Sequence, residues 1–176
     1  ETDAIVLTNV TTFDGFITVT AGGQITATNV NSSNTDTDTN DINLTATVGD
    51  IAAGAINSGN IGDTTLNAAG AITDVNGASL NITADVATLT ARSGIGSADA
   101  LETTMASLVA NNVTNTGNIQ IVETDAIVLT NVTTFDGFIT VTAGGQITAG
   151  NVNSSNTDAD TNDITLTATA GDIIAV

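Results

Sequence analysis

The sequence has no cysteine, proline, tryptophan, tyrosine or histidine; its 176 residues include four phenylalanines and one basic side chain, Arg92. Each absence closes off a class. Without cysteine there is neither a disulfide scaffold nor a thiolate metal site. Nineteen acidic residues against that single arginine give a net charge of −18. The basic footprint of a nucleic-acid partner is therefore missing, and anionic lipid is repelled. With no His, Cys, Lys or Tyr, the usual general bases, thiol nucleophiles and Schiff-base formers are lacking. Carboxylate pairs remain, but glycan-cleaving sites built on them normally add aromatic platforms and basic residues, so no enzymatic activity is expected. No apolar run reaches the roughly 18 residues of a membrane helix, no signal peptide is written, and Gly22-Gly23 lacks the following Lys-Ser/Thr of a phosphate-cradling loop.

What is present is repetition. ETDAIVLTNVTTFDGFITVTAGGQITA opens the chain at Glu1 and again at Glu123, 122 residues later. Over 54 aligned positions the copies differ at six: 28/150, 37/159, 43/165, 48/170, 52/174 and 54/176. Stopping at Val176 in mid-pattern, the duplication is expected to be a window onto a longer tandem array. Hydrophobic residues make up 41% of the chain with almost no aromatics, so the core must be a thin, regular lattice of Ile, Val, Leu and Ala. That suits a solenoid better than a globule, and the wealth of β-branched residues argues against disorder.

Within the 122-residue unit a looser period appears. Segments that each read as one coil begin near Phe16, Ile42, Thr64, Ile82, Thr103 and Ile119, and the next copy resumes at Phe138. Six coils per unit give about 20 residues per coil and, at about 4.8 Å per coil, an axial repeat of roughly 29 Å. Most coils open with the two-residue alternation of a half-buried strand, as in Phe16-Ile-Thr-Val-Thr and Ile42-Asn-Leu-Thr-Ala-Thr. The stretch from Ala98 to Ala110 is the one place where a helix is arguable, and it too reads as strand and turn. Glycines before small strands, at Gly23, Gly49, Gly70 and Gly94, are expected to take positive φ at corners. Asn or Asp before Val, at Asn9, Asn29, Asp74, Asn112 and Asn131, is expected to line up as an amide ladder along the axis. Polar loops leave the coils over 31–41, 57–63 and 153–163. No domain boundary is visible: 1–176 reads as one continuous solenoid.

The motif Ile42-Asn-Leu-Thr-Ala-Thr-Val-Gly-Asp-Ile resembles the coil repeat of filamentous-haemagglutinin-like large exoproteins and strand-repeat surface adhesins of bacteria. The resemblance covers nearly the whole chain and implies a right-handed, single-stranded parallel β-helix, secreted and used in adhesion or matrix building.

Candidate ligands are confined to two loops. Asp36, Asp38, Asn40 and Asp41 place oxygens at alternate positions, as the opening of a calcium loop does, and the second copy keeps them as Asp158, Asp160, Asn162 and Asp163. The glycine and distal glutamate of an EF-hand are missing, so solvated acidic turns are the competing reading. The pairs Thr18/Thr20, Thr45/Thr47 and Thr88/Thr90 would form outward threonine rows of the kind ice-binding solenoids use, although threonine is also an ordinary exposed strand residue. Asn-x-Ser/Thr sequons stand at Asn9, Asn31, Asn43, Asn81, Asn112, Asn131 and Asn153, as chance allows in such a composition.

The expectation is an all-β solenoid serving as a non-enzymatic structural element of a long extracellular fibre, stalk or adhesin at a bacterial surface or in its matrix. Its neighbours would be repeats or subunits stacked end to end, with host or matrix glycans as further partners and neither nucleic acid nor membrane insertion. The alternative is a surface module binding Ca2+ or glycan through the acidic loops.

Overall fold

The computed structural model describes residues 1–13, 15–33, 40–154 and 162–176. Among these there is no helix; the described residues form sixteen strands in one continuous parallel sheet wound into a β-solenoid of about seven turns. The first copy supplies β1 (Ile5–Leu7), β2 (Val10–Thr11), β3 (Ile17–Ala21), β4 (Ile25–Asn31), β5 (Ile42–Ala46) and β6 (Ile51–Asn57). The middle supplies β7 (Thr64–Ala68), β8 (Ile72–Asp74), β9 (Ile82–Ala91), β10 (Leu101–Thr116) and β11 (Ile119–Glu123). The second copy supplies β12 (Ile127–Asp136), β13 (Ile139–Ala143), β14 (Ile147–Asn153), β15 (Ile164–Ala168) and β16 (Ile173–Ala175). The segment open to a helical reading lies mostly in β10, the longest strand.

Alternation fixes which side chains enter the core. In β5 the inward Ile42, Leu44 and Ala46 are buried while Asn43 and Thr45 face out. Each inward residue then stacks on its counterpart one coil away. One column runs Ile5, Ile25, Ile51, Ile72, Ile95, Ile119, Ile139 and Ile164, isoleucine at every level. Opposite it runs a second: Ile17, Ile42, Thr64, Ala87, Leu108, Leu129, Ala149 and Ala175. Among the described residues, the buried apolar side chains apart from Met105 are Ile, Leu, Val and Ala. Branched aliphatics of similar shape stack at the strand spacing without voids, whereas an aromatic ring at one level would force its neighbours aside. Burying one such Leu or Ile is worth about 1.5–3 kcal/mol, so the rod is held by many equal small contributions rather than one centre.

The two columns reveal the phase of the repeat. Ile17 belongs to the second column, yet Ile139, which repeats it, stands in the first. Leu129 stands in the second column, although Leu7, which it repeats, lies on the first-column strand β1. Strand order says the same: β4 and β6 lead along the sheet to β11, β13 and β15, while β3, β5 and β7 lead to β12, β14 and β16. From Ile5 the chain makes five turns to Ile119 and half a turn more to Ile127. The 122-residue unit therefore spans five and a half coils, not the six expected, and the second copy is turned to the opposite side of the rod. Coils run from 20 to 26 residues between first-column isoleucines. The count of six fails because strand starts mark different faces. Ile17 (next to Phe16), Ile42 and Thr64 begin strands of the second column, but Ile82 pairs with Ile56 and with Thr103 on another face, and Ile119 belongs to the first column. There β9 rounds a corner as unbroken strand, pairing β6 at its start and β7 at its end.

Three of the four corner glycines singled out by the sequence serve closeness rather than handedness. Gly23, Gly49 and Gly70 do not have positive φ, contrary to expectation; Gly94 does, at 111°. A Cβ on Gly23 would lie 2.7 Å from the Ala4 nitrogen, and one on Gly49 2.6 Å from the Gln24 nitrogen. At these turns successive coils touch backbone to backbone, and no side chain fits between them.

Candidate functional site

The predicted loop ligands divide into two groups. Asp36, Asp38, Asp158 and Asp160 lie outside the described residues. Asn40, Asp41, Asn162 and Asp163 are described, at the loop bases. Asn40 is buried, and its Oδ1 accepts the Gly15 amide at 3.2 Å while its carbonyl accepts the Ser32 hydroxyl. Asn162 repeats the arrangement, accepting from the Gly137 amide at 3.0 Å and from Ser154. Asp41 Oδ1 accepts the Asp63 amide at 3.0 Å, and the Asp163 carbonyl accepts the Ile139 amide at 2.8 Å. These contacts tie each loop base to neighbouring coils. Among the described residues no three acidic side chains converge to hold a metal.

Sequence reasoning missed that acids at corners bracket successive coils. Asp63 Oδ1 accepts the Val86 amide at 3.2 Å, and Asp50 Oδ1 accepts the Ala71 amide at 2.7 Å. The available signal was Asp directly preceding a strand, at Asp41-Ile42, Asp63-Thr64 and Asp163-Ile164. Also missed was Glu123, a buried carboxylate inside the core. Its Oε2 accepts the Thr103 hydroxyl at 2.8 Å and the Met105 amide at 3.1 Å, and Oε1 accepts the Asp125 amide at 3.2 Å. Burial pushes its carboxyl above the ordinary range, against the pull of those donors. Glu102 is also raised, by desolvation and then by the charge of Asp74.

The amide ladder forms in part. Asn29 donates to Asn9 at 2.7 Å; Asn131 donates to Asn111 at 3.0 Å, and Asn151 to Asn131 at 2.6 Å. The first run ends where Asn29 meets Ala55. Asn112 is instead buried, accepting the Gly94 amide at 2.9 Å and donating to the Gly117 carbonyl at 3.1 Å. Asp74 accepts from the buried Asn81 at 2.6 Å. The sequons at Asn81 and Asn112 are thus spent on internal hydrogen bonds.

Beside the second column the outward residues form a grid. One row reads Thr18, Asn43, Thr65, Thr88, Val109, Asn131 and Asn151; the other reads Thr20, Thr45, Asn67, Thr90, Asn111, Thr133 and Asn153. Thirteen of these fourteen positions are Thr or Asn, and none is charged. Thr47 stands off the grid, its hydroxyl donating to the Ala21 carbonyl at 3.2 Å.

No protein-family model, no curated protein and no solved structure matches the chain.

Proposed function

We propose that the chain is a rigid rod segment of an extracellular fibre or stalk of adhesive or matrix-building type, with no catalytic role. What carries this reading is the unbroken first column: eight isoleucines at successive levels, paired in parallel register from Ile5 to Ile164. Such a column extends by adding coils and gains rigidity in one direction only, which is the mechanical requirement of a stalk. The inventory of side chains supports the absence of catalysis, and the motif resemblance supports an extracellular setting. Electron microscopy of the native protein tests the reading. Thin rods are expected, and they persist when residues 34–39 and 155–161 are deleted. Loss of the rods on deletion would give the acidic loops the primary role; compact particles in the intact protein would overturn the reading.

A further inference from the structure

We propose that the Thr/Asn grid is the face through which two copies of this chain pair side by side; the proposal rests on the rod reading above. Three observations carry it. The first is charge. At −18 per chain, two copies repel wherever carboxylates meet, and the grid is a face seven coils long that contains none. The second is period. The rungs of two copies share one axial spacing of about 4.8 Å, so Thr and Asn side chains meet in the same register over the whole contact. The third is the half-turn phase. On the opposite side of the rod, Thr140, Thr142, Thr165 and Thr167 repeat the positions of Thr18, Thr20, Asn43 and Thr45, in register across β13 and β15. Tandem copies therefore present this face on both sides, and pairing propagates into a layer of rods instead of closing as a dimer.

The face measures about 30 Å by about 17 Å, roughly 500 Å² per partner. A standard stable interface needs about 800 Å² per partner, so one chain pairs weakly and longer arrays pair more tightly. Salt strengthens the contact by screening the corner carboxylates.

The test is sedimentation equilibrium of the full chain at rising concentration, in low salt and in about 0.5 M NaCl. The expected result is monomer moving toward dimer with concentration, more so at high salt. Thr65→Glu with Thr90→Glu lowers the association constant at least tenfold while circular dichroism stays unchanged. Asn60→Glu with Ala78→Glu adds the same charge off the grid and leaves association intact. Because the chain has no cysteine, Thr90→Cys supplies a second measurement: oxidation gives a disulfide dimer faster than Asn60→Cys does. Equal association of the two double variants would assign the contact to another surface and overturn the proposal. A chain that stays monomeric throughout, with equal oxidation rates, would also overturn it, whether or not the face then retains a neutral polysaccharide. Rods seen singly by electron microscopy would remove the pairing alone, whereas the absence of rods would remove the reading it rests on.

Discussion

Ile139 stands on Ile119 in parallel register, in the column that starts at Ile5, although Ile17, which it repeats, stands in the column opposite. Nearly identical sequence thus occupies two sides of one rod. The half-integer phase works because the inward positions on both sides ask for the same thing, a small or branched aliphatic at every second residue. Faces so alike allow one strand type to stack on the other: Leu108 takes Ala87 on one side and Leu129 on the other.

Glu123 is covered by neighbouring coils, and burial raises its carboxyl above the ordinary range. A carboxyl raised on folding contributes stability below its unfolded pKa, near 4.5, and that stability is lost as pH climbs through the folded value. Melting temperature should therefore fall from mild acid toward neutrality, and Glu123→Gln should shrink that fall. An unchanged pH profile in the variant would place the titration elsewhere.

The close coil contacts make a second prediction. Gly49→Ala puts a methyl group against the Gln24 backbone and should cost about 1–3 kcal/mol, as overpacking does. Gly77 has φ of 62° and nothing within 4 Å of an added Cβ. Gly77→Asn should cost under about 1 kcal/mol, because Asn tolerates the left-handed region. Urea unfolding of the two variants checks the contrast; similar losses would contradict the distinction between closeness and handedness.

Arg92 is the one site for trypsin. Its amide donates to the Gly70 carbonyl at 2.8 Å, and Ser93 shares that acceptor at 3.2 Å. Cleavage requires this corner to detach from the coil below it, so native digestion should be slow and should accelerate with sub-denaturing urea. Rapid cutting in buffer would mean that the corner is not held.

The all-β solenoid was legible because strand alternation and coil-length repetition are local signals, present in every copy. The aromatic-free core was legible for the same reason. The phase was not, because register depends on corner geometry: nothing in the alternation of Ile82-Thr-Ala says that β9 turns a corner without a break. Gly94 takes the positive φ expected of it, but Gly23, Gly49 and Gly70 misled because contact with a coil some 20 residues away is invisible in the sequence around them. Of the proposed loop ligands, Asn40 and Asn162 carry backbone-directed contacts that depend on the turns at Gly15 and Gly137, far off in sequence.

The half-turn phase is tested most directly by helical reconstruction from electron micrographs of a polypeptide carrying four consecutive copies of residues 1–122. Five and a half coils per unit predict a rise of about 26 Å and a rotation near 180° between units, apart from the gradual twist of the coils. A rise of about 29 Å with rotation near zero would mean six whole coils per unit, and would contradict the account.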